Sequence, residues 1–255
     1  LMKHLTLVLL ASLTVGTAYA DDSPVPVKKV AEPIAIETAG RALDVHGIRI
    51  GMSLDEATKV LMANCPVESY HENKVQMNLT INGLRVSSEP YINEQICNAT
   101  NITIYYTPPS VGSVVYQVDS DAFYRDAQGA LTPNSPARDL TEKALIDKYG
   151  PASVTQPRFH QYYWFFDANG KPVPAGEQPA YGVNVPANSR LVVGANMNLP
   201  NTDDPSPQQH LLGLAVSLTS SDLKNQGEDL LRKELIEAGK AKDAQSRQQS
   251  GAPSL

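Results

Sequence analysis

Two short stretches of this chain carry helix punctuation at both ends, and most of the rest alternates apolar with polar residues. Ser53-Leu54-Asp55-Glu56 sets a serine three residues ahead of a glutamate. In that reciprocal box each side chain satisfies the other residue's backbone N–H at a helix start. Leu54, Ala57, Val60, Leu61 and Cys65 continue one helical face up to Pro66, where a helix must stop. The spacing predicts a helix over 53–64. Asp139-Leu140-Thr141-Glu142 repeats the pattern with Asp139 as the cap. Leu140, Ala144, Leu145 and Tyr149 carry its face, and Gly150-Pro151 ends it.

The tracts between them read as strands. Residues 43–50, 75–81, 101–106 and 113–118 alternate with period two, as half-buried strands do. Asn82-Gly83 is a two-residue hairpin turn, from which 84–86 returns. Residues 158–166, 191–197 and 211–218 form a second strand-rich tract, with a turn at 167–170. The fold class that follows is α+β, short capped helices packed on antiparallel β-sheet. The order helix, strands, helix, strands fits two tandem helix-plus-sheet units, 43–120 and 121–221. Two unrelated helices with the same cap chemistry would look alike.

The ends read differently. Lys3 and His4 precede an apolar run from Leu5 to Leu13, and Ala18-Tyr19-Ala20 is a small-x-small cleavage pattern. Residues 1–20 are therefore expected to be a secretory signal peptide. The run is shorter than the roughly 20 apolar residues of a membrane span, and no other stretch approaches that length. Residues 21–42 carry three prolines and no periodicity, which suggests a tether or a loosely docked arm. Leu230, Leu231, Leu235 and Ile236 predict a C-terminal helix over 222–243, although Gly227 and Gly239 weaken it. The polar tail 244–255 is expected to be disordered.

Cys65 and Cys97 are the only cysteines of the 255 residues. An exported chain meets an oxidising compartment, so they are expected to pair. The disulfide would close a loop of about 30 residues and stabilise by about 3–4 kcal/mol on the chain-entropy model. The localisation expected is periplasmic or secreted.

Composition removes several functions. The net charge is −6, so no basic excess exists to track nucleic-acid phosphates. His46, His71, His160 and His210 share no metal-binding spacing, and no H-E-x-x-H, G-x-S-x-G or Walker motif occurs. No cofactor is called for. Six of the chain's 16 aromatic residues fall between Phe159 and Phe166. On a strand Tyr162, Trp164 and Phe166 share one face, and Tyr163 and Phe165 the other. Burial of both faces is the first expectation. If one is left uncovered, Tyr162, Trp164 and Phe166 are the candidate protein- or glycan-binding surface.

The stretch Gly47-Ile48-Arg49-Ile50-Gly51-Met52-Ser53-Leu54-Asp55-Glu56-Ala57 resembles the opening of small Gram-negative envelope proteins, whose shared step is G-M-S/T into a short helix. Lys148-Tyr149-Gly150-Pro151 resembles the end of that helix, here in the second unit. The families are the outer-membrane assembly lipoproteins of the SmpA/OmlA type and the beta-lactamase-inhibitor-protein-like modules. No cysteine follows the cleavage pattern, so the lipoprotein role does not carry over. The resemblance implies helices on a small antiparallel sheet and action by binding other proteins. The function expected is an exported, non-catalytic binding module, with an envelope or secreted protein, or a cell-wall glycan, as partner. Its rival is a small hydrolase with a dispersed site.

Overall fold

A computed structural model describes residues 23–36, 43–179, 182–200, 206 and 208–250. The expected signal peptide and the last five residues lie outside the described residues. In chain order the elements are α1 (Leu54–Met62), β1 (Tyr70–Val75), β2 (Asn78–Ile81), β3 (Leu84–Ser87), β4 (Tyr91–Cys97), β5 (Ile102–Tyr106), β6 (Val115–Phe123), α2 (Arg138–Tyr149), β7 (Val154–Gln156), β8 (Gln161–Phe166), β9 (Leu191–Asn198), β10 (Gly213–Thr219) and α3 (Ser221–Ser250). The α+β class is the one observed.

Eight strands form one sheet in the order β1-β4-β5-β6-β10-β9-β8-β7, and β2 and β3 form a separate hairpin. Every neighbouring pair in the large sheet is antiparallel. Each half of the chain contributes a helix followed by four sheet strands, and the last strands of the halves, β6 and β10, pair with each other. The halves thus share one sheet, and β6 runs through residue 120, where the sequence suggested a boundary. One apolar core lies beneath both helices. It joins Ala57 and Leu61 of α1 and Leu145 and Tyr149 of α2 to Ile104, Val118, Val193 and Trp164 on the sheet.

The first helix forms as its caps dictate. Ser53 Oγ accepts from the Glu56 N–H at 3.4 Å, and Glu56 Oε2 accepts from the Ser53 N–H at 3.0 Å. Just past its end, Cys65 is bonded to Cys97, the last residue of β4, with Cα atoms 5.9 Å apart.

The second helix departs from its predicted cap. It starts at Arg138 with Ala137 as the cap residue, and no side chain caps it. Ala137 bridges to His210, and the Arg138 N–H donates to Gln209 O at 2.9 Å. This long-range pairing sets the start ahead of Asp139 and turns Thr141, Leu145 and Tyr149 inward. Leu140 is left 63% exposed. Glu142 pairs with Arg138 at 2.9 Å and accepts the Tyr162 hydroxyl. Gly150 ends the helix as expected, at φ 86°.

Three further readings are corrected. Residues 43–50 form a tight turn rather than a continuous strand: Val45 and Ile48 bridge, and His46 and Gly47 sit at φ 52° and 82°. That is the two-residue turn of a hairpin. The described part of the Pro-rich arm, 23–36, is docked. Val25 bridges to Ser88, the Val30 N–H donates to Ser110 O at 2.9 Å, and Gln226 holds both Ile34 N and Glu32 O. Val25 and Val27 pack on Val86, Leu231 and Leu235 in a second small core. Finally, α3 extends through residue 250, well into the expected tail.

The two glycines of α3 account for its seat. A β-carbon at Gly227 would lie 2.7 Å from Pro108 Cδ, and one at Gly239 would lie 2.7 Å from Ile81 Cγ1. They are the points where the helix backbone touches the body of the protein. The loss of helix propensity at a glycine is about 1 kcal/mol each, and here it accompanies closer packing.

Candidate functional site

The aromatic run is buried on both faces. Tyr162, Trp164 and Phe166 are 8%, 1% and 1% exposed, and they point into the core beneath the helices. Trp164 Nε1 donates to Gly150 O at 2.7 Å, so even its polar edge is occupied. On the opposite face Phe165 packs with Val154 and Val173, under the segment that follows β8. Tyr162, Trp164 and Phe166 are therefore core residues and not a docking row. The second half supplies enough helix and loop to cover β8 twice.

Among the described residues, what stays open is the centre of the sheet's outer face. The register places Asp119 of β6 opposite Ser217 of β10, Ser217 opposite Gly194 of β9, and Gly194 opposite Tyr163 of β8. One step along, Asp121, Ala215, Asn196 and Gln161 form a second row. Side chains two apart on a strand share a face, so these rows lie side by side. All of these residues but Gln161 line a shallow trough of about 230 Å³. Its floor is low because the residues are small. A β-carbon at Gly194 would lie 2.9 Å from Ser217 Oγ and 3.6 Å from the Tyr163 ring. Beyond Ala215, Gly213 faces Phe123, whose ring is 70% exposed at the rim.

The trough is acidic and bordered by tyrosines. Asp119 is half-buried, and desolvation raises its carboxyl above the ordinary range. The Gln117 amide, 2.7 Å away, pulls it back, while Asp121 raises it further. Tyr105 and Tyr116 pair with ring centroids 6.1 Å apart. Desolvation pushes the Tyr116 hydroxyl up to about 12, with Glu228 of α3 adding to it. Tyr105 is raised by the same burial and by Asp119 and Glu94. Both phenols stay protonated at neutral pH and are available as donors.

Other singled-out residues are scattered. His71 lies on β1, His210 Nδ1 contacts Ser135 O at 2.6 Å, and His160 is buried at the start of β8. Among the described residues no group of three or more His, Cys, Asp or Glu is placed to hold a metal ion. His46 Nε2 lies 2.9 Å from Ser120 Oγ on the helix-bearing face. Asp44, two residues from His46, instead accepts from the Gly47 N–H at 2.8 Å and from Lys148 Nζ at 3.1 Å. At 167–170, Asp167 Oδ1 accepts from the N–H groups of Asn169 and Lys171, which is a turn closing on itself.

The outer-face site was not visible in the sequence as a site. Its signal was the run of small or polar residues at alternate positions of strong strands: Gly194 and Asn196, Ala215 and Ser217, Asp119 and Asp121. Register alone brings them together.

No protein-family model, no curated protein and no solved structure matches this chain. Among the described residues no helix is long and apolar enough to cross a membrane.

Proposed function

We propose that this chain is an exported, non-catalytic binding module whose outer sheet face engages a protein partner through a basic, extended segment. The observation that carries this reading is the open double row Asp119–Ser217–Gly194–Tyr163 and Asp121–Ala215–Asn196–Gln161. A sheet centre lined by short side chains admits an extended segment closely. The two carboxylates and the tyrosine rims suit a lysine or arginine side chain by charge and by cation–π attraction. The net charge of −6 adds attraction toward a basic partner during encounter. Export is supported by the leader pattern of residues 1–20 and by the Cys65–Cys97 disulfide. The resemblance at Gly47–Ala57 to envelope modules that bind other proteins points the same way.

The hydrolase alternative draws on one contact, Ser120 with His46. A serine nucleophile with a histidine base needs a third group to orient the imidazole. The nearby Asp44 carboxylate is engaged by Gly47 and Lys148. The binding reading is the better supported.

The test uses the exported chain, oxidised and immobilised, against envelope extract. Beside it stand Ser217→Arg and the double charge reversal Asp119→Lys, Asp121→Lys. A basic protein retained by the wild type, released by salt and lost in both variants at unchanged melting temperature is the expected result. Retention unaffected by either variant, or no partner from folded bait, overturns the reading.

A further inference from the structure

The opposite face of the sheet holds a feature that the binding reading does not use. Between α2 and the seam where β6 meets β10, the core does not close. A cleft of about 350 Å³ remains there. Its walls are apolar: Val45, Tyr124, Leu145, Tyr149, Leu214 and Val216. Tyr124, Leu214 and Val216 are only partly buried, so the cleft is reached from solvent.

Thr141 also lines the cleft, its hydroxyl donating to Ala137 O at 3.0 Å, and Ser120, His46 and Lys148 bring further polar groups. Ser120 stands where its inward neighbours on β6 are Val118 and Ala122, and its hydroxyl lies 2.9 Å from His46 Nε2. His46 occupies a left-handed position, φ 52°, in a turn whose first central residue is usually Asn, Asp or Gly. Histidine is among the residues that adopt this region more readily, and the turn brings its ring edge to Ser120. Lys148 lines the same cleft from α2. Its ammonium has three N–H groups, and Asp44, which is not part of the lining, accepts from it at 3.1 Å. The lining charge is thus a cation, and the Ser120–His46 pair, bonded to each other, leaves one O–H or N–H to donate beside it. A mostly apolar cleft with a few converging donors is the usual form of a small-ligand site.

We infer that this cleft binds a small monocarboxylate with an apolar body, its carboxylate toward Lys148 and the Ser120–His46 pair and its body against Leu145, Leu214 and Val216. At about 30 Å³ for each water-sized atom, the space suits a ligand of about ten heavy atoms. Octanoate has that size and charge. The site lies on the opposite face from the trough and stands or falls independently of it.

The experiment is calorimetric titration of the full exported chain with octanoate at neutral pH, with octylamine and octan-1-ol as matched probes. Two variants act on different parts of the site. Ala144→Phe, at an exposed position of α2 that lines the cleft, fills the space. Lys148→Met removes the charge and keeps the stem. The expected result is saturable one-to-one binding of octanoate, weakened about tenfold or more in each variant, and none of octylamine. No saturable binding, equal binding of the amine or the alcohol, or affinity unchanged by Ala144→Phe overturns the proposal. Unchanged melting temperatures of both variants show that loss of binding is not loss of fold.

Discussion

The two faces of the eight-stranded sheet are written in the same strands, one residue out of phase. Inward, β8 and β9 present Tyr162, Trp164, Phe166, Leu191, Val193 and Met197, and all are buried. Outward, the neighbouring positions carry Tyr163, Gly194 and Asn196 in an open trough. The inner face is filled by large side chains that interlock beneath α1 and α2, so volume matters there. The outer face is shaped by residues too small to fill it. A strand can serve both ends because successive side chains point to opposite sides. Substitution on the inner face should therefore be read in stability, and on the outer face in binding.

Trp164→Ala should show the largest effect. It removes a ring that is 1% exposed and frees the Gly150 carbonyl. A loss of about 3–5 kcal/mol in urea unfolding is expected. A loss near zero would break the assignment of that face to the core. Reduction of Cys65–Cys97, separated by 32 residues, should follow at about 3–4 kcal/mol. The check is the same unfolding curve with and without reductant.

Smaller effects separate the two helices. Ser53→Ala should lower stability by about 1 kcal/mol, because its hydroxyl belongs to a formed capping box. Asp139→Ala should cost less, about 0.5 kcal/mol, since that residue lies inside the first turn of α2 and its carboxylate accepts only from the adjacent Leu140 N–H at 2.8 Å. Equal losses would contradict the different helix starts.

The smallest change has the opposite sign. Burial holds the Asp119 carboxyl above its ordinary range, so the folded state retains that proton to higher pH than the unfolded chain does. This makes the ionised group a net burden on folding above the unfolded value of about 3.9, and the burden disappears as pH falls below it. Asp119→Asn should keep the Gln117 contact and raise the melting temperature at neutral pH, and the gain should vanish in acid. A gain that persists at low pH would remove ionisation as its cause.

Much of the local structure was legible in the residues. The Ser53–Glu56 box, the Asn82-Gly83 turn and the Gly150 stop are set by contacts within a few positions. They form as local chemistry directs. β4 was not legible. Its Gln95 is buried, and a polar residue in a core position hides the alternation. The side chain is matched only in three dimensions, accepting from the Tyr106 hydroxyl at 2.5 Å and donating to Tyr70 at 2.7 Å. The start of α2 was misplaced for a similar reason, because the Ala137–His210 bridge joins residues far apart in sequence.

The trough and the cleft belong to the same class. Cap and turn chemistry, the disulfide pair and the α+β class were determined by the sequence, because each rests on neighbours in the chain or on the only two cysteines present. Which of two faces a segment would cover was decided by packing alone. The aromatic run was as apolar on one side as on the other, and only the placement of α2 and of the segment after β8 buried both. Asp119, Ser217, Gly194 and Tyr163 came together only through the antiparallel pairing of β6 with β10 and of β10 with β9. Strand order and register are properties of the whole sheet, set by burial summed over many residues, and no local stretch contains them.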